Sequence, residues 1–178
     1  TVVQAIDKIK DTASSHGRIF FVEVMGREAG QLAINSGIAC GAEAILIPES
    51  EDDLQQLDAF LLKEYKKKET SGIVVVAEGD EAGGAFKIAE IAKKKHPGID
   101  FRVSILGHIQ RGGSPTATDR VNATKMGVAS VKALLNDQQG VMIGLINGNV
   151  VHVPFSQAVK LSPPIPADLL EIQQLLNT

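Results

Sequence analysis

The sequence predicts an α/β fold, an open and mainly parallel sheet with helices on both faces in three layers. Two observations lead there. Short apolar runs bounded by turn residues, at 19–24, 44–47, 73–77, 102–106 and 142–146, alternate with segments of helical periodicity. In the run Ile73-Val74-Val75-Val76 every side chain is apolar, as expected of a strand covered on both faces.

The elements follow in order. Residues 3–12 read as a helix already under way when the chain begins at Thr1, which leads us to expect a piece of a longer protein. A strand at 19–24 precedes a helix of small residues at 29–39 and a strand at 44–47. Leu54, Leu57, Leu61 and Tyr65 then share one face of an amphipathic helix starting near Ser50. After the strands at 73–77 and 102–106, Ala117, Val121, Val128, Val131 and Leu135 mark a helix that Ser114 can cap, with Pro115 suited to its first turn. His96-Pro97-Gly98 reads as a turn. The stiff break Ser162-Pro163-Pro164-Ile165-Pro166 separates the strand at 142–146 from a terminal helix at 168–176.

Composition narrows the function classes. At 178 residues the chain fits one domain that buries roughly two thirds of its unfolded surface. A 44% hydrophobic content excludes a disordered polymer, and no apolar run approaches the roughly 20 residues of a membrane span, so a soluble protein is expected. A net charge of -3 argues against a nucleic-acid or anionic-membrane surface. Cys40 is the only cysteine, which excludes an intrachain disulfide and fits a cytoplasmic setting. His16, His96, His108 and His152 lack metal-ligand spacing, so no metal site is expected.

Chemistry concentrates at residues 107–120. Arg111-Gly112-Gly113-Ser114 lies between a strand and a helix, where backbone N–H groups and a helix dipole favour an anion, and His108 and Arg111 add charge-assisted donors. On composition alone a phosphate site and a glycine-hinged turn with incidental polar residues stand equal. Glu78 ends an apolar strand, where a carboxylate is costly without partners and where ligands of open α/β sheets sit. Arg27 at a helix start is unfavourable toward the dipole, which favours a ligand-facing role. Arg18 is equally readable as a strand-edge charge, and Arg102 reads first as an exposed arginine at a strand start. Lys66-Lys67-Lys68 and Lys93-Lys94-Lys95 read as solvated helix ends.

The stretch Leu106-Gly107-His108-Ile109-Gln110-Arg111-Gly112-Gly113-Ser114-Pro115, with Asp119-Arg120, resembles the substrate-binding signature of bacterial ATP-type 6-phosphofructokinases. Ser14-Ser15-His16-Gly17-Arg18, Val22-Glu23-Val24-Met25-Gly26-Arg27, Ile47-Pro48-Glu49 and Ala77-Glu78-Gly79 resemble that family in the same order. The likeness fades after about Asn149, and Glu28-Ala29 departs from the family pattern.

The resemblance implies a phosphofructokinase-like fold, truncated, with residues 1–112 binding fructose 6-phosphate, 113–160 packing on a nucleotide domain outside this chain, and 161–178 a tail helix. It implies that His108 and Arg111 hold the 6-phosphate, with Arg18 and Arg102 reaching a neighbouring subunit's site. Met25, Gly26 and Arg27 would lie beside the sugar, with Arg27 catalytic, while Glu78 accepts from sugar hydroxyls. Lys10, Glu49, Lys66, Lys67 and Lys68 fall in a nucleotide effector region. The intact enzyme would be a homotetramer that transfers the γ-phosphoryl of Mg-ATP, bound mostly by an N-terminal half, to the sugar's 1-hydroxyl in glycolysis. This chain alone would be inactive. The alternatives are a pyrophosphate donor or a sugar-phosphate sensor without catalysis.

Overall fold

The computed structural model describes residues 1–50, 53–65, 71–79, 83–159 and 164–176. In chain order its elements are α1 (Val2–His16), β1 (Arg18–Val24), α2 (Gln31–Cys40), β2 (Ala44–Leu46), α3 (Asp53–Tyr65), β3 (Gly72–Ala77), α4 (Gly84–Lys95), β4 (Asp100–Ile105), a 3-10 helix (Gly107–Arg111), α5 (Ala117–Leu135), β5 (Val141–Ile146), β6 (Asn149–Pro154), α6 (Phe155–Ala158) and α7 (Ala167–Leu176). They form two compact units, Thr1–Gly113 with Ile165–Thr178, and Ser114–Pro164.

In the first unit β1 to β4 form a parallel sheet in the order β2-β3-β1-β4. All six residues of β3 are buried, as its unbroken apolar run requires. Alternation along the strands sorts side chains into two cores. Val22, Val24, Ile73, Val75 and Ala77 pack with Ile6 and Ala13 of α1 and Ala33 and Ile34 of α2, and Leu169 and Leu170 of α7 join them. Ile19, Phe21, Val74 and Val76 pack on the opposite face with Leu57, Phe60 and Leu61 of α3 and Ala85, Ile88, Ala89 and Ala92 of α4. The three-layer α/β expectation holds for this unit.

Local details differ from the expectation where packing decides. Leu54 is exposed while Phe60 is buried, so the inward stripe of α3 runs through Leu57, Phe60 and Leu61. β4 begins at Asp100, two residues early, because Asp100 and Phe101 lie opposite Arg18 and Ile19 in the ladder. α1 and α2 both stop at glycines in the left-handed region, Gly17 at φ 61° and Gly41 at φ 58°. α7 is anchored by the fully buried Gln173, whose Nε2 donates to the Ile45 carbonyl at 2.6 Å.

The second unit departs from the parallel pattern. Residues 142–146 belong to β5, which pairs antiparallel with β6 in a two-stranded sheet. Only Asn147 and Gly148 connect them, far too few for a parallel crossover, and both adopt positive φ, 51° and 77°, as a tight hairpin turn demands. The cap of α5 is Thr116 rather than Ser114. Asp119 N–H donates to Thr116 Oγ1 at 3.3 Å, and the Asp119 carboxylate accepts from Thr116 N–H at 2.8 Å and from its hydroxyl at 2.7 Å. These bonds hold the Asp119 carboxyl below the usual carboxylate range. The apolar face expected of α5 is exposed: Val121, Val128, Val131 and Leu135 are each more than half accessible, while Ala133 is its one buried position.

Candidate functional site

Parallel strands put all their carboxyl ends on one side of the sheet. After β1 the chain enters α2 on one face, and after the adjacent β3 it enters α4 on the other. Where loops leave neighbouring strands in opposite directions, the crevice at the carboxyl ends of the strands is the usual ligand position in such sheets. Met25-Gly26-Arg27 lies on one side of this crevice and Glu78-Gly79 on the other.

The two loops are tied together across it. Glu78 N–H donates to the Val24 carbonyl at 2.8 Å, which continues the ladder to the last residue of β1. Arg27 N–H donates to Glu78 Oε1 at 3.0 Å. Arg27 has φ 54°, a left-handed conformation costly for a residue with a side chain and typical of positions the surroundings hold in place. Gly79, at φ 88°, lies so close to the Arg27 carbonyl that a Cβ there collides with it. Hence Glu78 is not an idle strand end: its side chain shapes the backbone of Met25-Gly26-Arg27, and the Arg27 side chain is left exposed.

The third strand end at this side, after β4, carries the 3-10 helix with His108 and Arg111. Leu106 N–H donates to the Glu23 carbonyl at 3.1 Å, and Gln110 Oε1 accepts from Met25 N–H at 3.0 Å. The 3-10 helix is thereby pinned to the β1 loop. His108 and Arg111 are exposed and have no hydrogen-bond or ion-pair partner among the described residues. The structure thus brings Met25, Gly26, Arg27, Glu78, His108 and Arg111 to one end of the sheet.

Arg18 and Arg102 lie elsewhere. Arg18 is the first residue of β1, and Arg102 is the third of the edge strand β4, so they occupy the amino end of the sheet. The seven residues of β1 separate Arg18 from the crevice by roughly 20 Å. Neither arginine reaches the crevice of its own chain. They share a partner instead: Asp100 Oδ2 accepts from Arg18 Nε at 2.8 Å and lies 3.2 Å from Arg102 Nη2.

The residues expected for an effector are also separated. Lys10 Nζ donates to the Cys40 carbonyl at 2.9 Å, at the carboxyl end of α2. Glu49 accepts from Gly30 N–H through both oxygens, at 2.9 and 3.0 Å, at the amino end of the same helix. Each charge complements the helix dipole at its end. Ten residues, about 15 Å, of helix lie between them, so one phosphate group cannot touch both. Lys66, Lys67 and Lys68 lie outside the described residues. Cys40, beside Lys10, is buried, and burial first, then the Asp7 charge, pushes its thiol up.

Three participants escaped the sequence reading of roles. Gln110 was visible inside the 107–120 motif, yet nothing local reveals that it holds a backbone N–H 85 positions away. Its Nε2 is buried and has no hydrogen-bond partner among the described residues. Glu23 reaches from β1 to accept from Ala85 N–H at 2.8 Å, closing the amino end of α4, which has no side-chain cap of its own. Asp100 joins the two distant arginines.

Chemically, the crevice combines an acceptor carboxylate with three cationic or hydrogen-bonding side chains, Arg27, His108 and Arg111, that have no side-chain partner among the described residues. That combination suits a polyhydroxyl compound bearing a phosphate. Among the described residues, no group of three or more His, Cys, Asp and Glu is placed to hold a metal ion, and no helix is long and apolar enough to cross a membrane.

Comparison with known proteins agrees with this chemistry. The family model of phosphofructokinase matches residues 1–134. The chain is 50% identical over 177 residues to ATP-dependent 6-phosphofructokinase 2 of Bacteroides thetaiotaomicron, and 46% identical over 176 residues to ATP-dependent 6-phosphofructokinase 1 of Thermus thermophilus. Both alignments cover 99% of this chain and 54% of the relative, so the chain spans about half the length of the curated relatives it matches. A solved phosphofructokinase from Saccharomyces cerevisiae aligns with a TM-score of 0.78 and 34% identity, over 99% of this chain and 24% of that one. With three quarters of its residues inside the family model, and its strand-end motifs assembled in one crevice, the chain belongs to the phosphofructokinase family.

Proposed function

We propose that this chain forms the fructose 6-phosphate-binding part of a 6-phosphofructokinase that uses ATP. The observation that carries the reading is the joining of Arg27 to Glu78 across the crevice, with His108 and Arg111 on the adjoining 3-10 helix. Glu78 accepts from sugar hydroxyls. His108 and Arg111 take the 6-phosphate, and Arg27 stabilises charge on the phosphoryl group as it moves to the 1-hydroxyl. The relatives' names give ATP as the donor; in this reading it acts with Mg and is held mostly by the length those relatives have beyond this chain.

The placement of Arg18 and Arg102 at the amino end supports a site completed between copies, in which both arginines serve a neighbouring subunit's phosphate. In this reading, as the family resemblance implies, the intact enzyme is a homotetramer working in the cytoplasm. Residues 113–160 offer the exposed face of α5 to the nucleotide-binding part. For an effector, the separation of Lys10 from Glu49 along α2 argues against a single site built on both.

Arg111→Ala in the full-length enzyme is the direct test. Losing a charge-assisted hydrogen bond of about 1.5–3 kcal/mol raises KM for fructose 6-phosphate by roughly ten- to a hundredfold, with KM for ATP little changed. An unchanged sugar KM, or no phosphorylation of fructose 6-phosphate by the parent enzyme, overturns the assignment.

A further inference from the structure

We propose that Asp100 is a positioning residue whose carboxylate binds Arg18 and Arg102 into one preformed anion cradle. The inference rests on the reading of those two arginines as phosphate ligands and adds a residue that acts through them.

The geometry is specific. Arg18 and Asp100 face each other across the β1–β4 ladder, and Arg102 stands two residues along β4 from Asp100, on the same face of the strand. A single oxygen, Oδ2, meets Nε of one guanidinium at 2.8 Å and Nη2 of the other at 3.2 Å. Two guanidinium groups this close repel each other, and a carboxylate between them offsets that repulsion. All three side chains are partly exposed, at 29% for Arg18, 43% for Asp100 and 50% for Arg102, so without the shared anion both long side chains sample many rotamers.

Each guanidinium carries five N–H donors; Asp100 accepts a hydrogen bond from one donor of Arg18 and meets Arg102 as an ion pair. The other donors have no partner among the described residues. Two arginines and one carboxylate leave a net positive charge, so the cluster is satisfied when empty yet still attracts a dianion. Ordering the side chains before the ligand arrives removes part of the entropy that binding would otherwise cost.

Charges on an edge strand also discourage unwanted pairing with other sheets, and β4 is an edge. That simpler role affects solubility and melting but not the kinetics of one substrate alone. The test is therefore steady-state kinetics of the full-length enzyme, varying fructose 6-phosphate and ATP separately, for Asp100→Ala, Asp100→Asn, Asp100→Glu, Arg18→Ala and Arg102→Ala.

Asp100→Ala is expected to raise KM for fructose 6-phosphate about fivefold, while kcat and KM for ATP stay within about twofold. Asp100→Asn, which preserves shape without charge, behaves like the alanine variant, and Asp100→Glu recovers much of the wild-type KM. If both arginine variants raise the sugar KM while the Asp100 variants leave it unchanged or lower it, the positioning role is overturned; a lowered KM means the carboxylate competes with the phosphate. If the arginine variants also leave it unchanged, the reading of the arginines falls as well.

Discussion

Replacing Gly79 with valine is expected to abolish productive sugar binding while leaving most of the sheet intact. Gly79 combines φ 88°, a region L residues rarely enter, with an approach to the Arg27 carbonyl that leaves no space for a Cβ. A β-branched side chain forces the loop after β3 away from the loop after β1, and the hydrogen bond from Arg27 N–H to Glu78 breaks first. Arg27 itself holds a left-handed conformation that its surroundings maintain, so its backbone relaxes once that bond is gone.

The expected cost is about 2 kcal/mol or more in folding free energy, with at least a tenfold rise in KM for fructose 6-phosphate. Gly79→Ala retains the collision without the branching and falls between. Denaturant unfolding of the chain and kinetics of the full-length enzyme measure the two effects separately. Wild-type sugar kinetics in Gly79→Val would show that the Arg27–Glu78 hydrogen bond is dispensable.

The elements of this fold were far more legible than their arrangement. β3 announces itself because both of its faces are buried, so no polar residue interrupts residues 73–77. The hairpin was legible too: Asn147-Gly148 is a strong tight-turn signal, and Val151 and Val153 alternate with His152 after it. The expectation of parallel strands obscured it. What sequence spacing does not carry is the order β2-β3-β1-β4, and every hydrogen bond that builds the crevice depends on that order.

The bonds from Arg27 to Glu78, from Met25 to Gln110 and from Arg18 to Asp100 span 51, 85 and 82 positions. Each motif therefore suggested its own chemistry, and only the sheet decided which motifs share a site. The separation of Arg18 and Arg102 from His108 and Arg111 follows from the same geometry. Residues at the start and finish of one parallel strand lie near each other in sequence, yet on opposite sides of the unit.

The coupling between core and site makes Phe21→Ala the second large effect. Phe21 is fully buried on the α3–α4 face of β1, and its ring lies 5.8 Å from that of Phe101 at an interplanar angle of 54°. Truncation leaves a cavity between β1, α4 and the edge strand, and such changes cost about 3–5 kcal/mol. β4 has a neighbouring strand on one side only, so removing the ring that Phe101 packs against weakens its attachment more than that of β3. The segment after β4 carries Leu106, whose N–H is bonded to Glu23, and then His108 and Arg111. Amide exchange should therefore rise first in β4 and the following 3-10 helix, ahead of β3. In the full-length enzyme, at temperatures where the variant is still folded, the proposed function predicts that fructose 6-phosphate affinity falls more than ATP affinity. Equal weakening of both, or uniform exchange across the sheet, would show that β4 does not transmit core packing to the crevice. Phe21→Leu, which fills most of the volume, should recover much of the stability and most of the sugar affinity, because the site depends on where β4 is held and not on the aromatic ring itself.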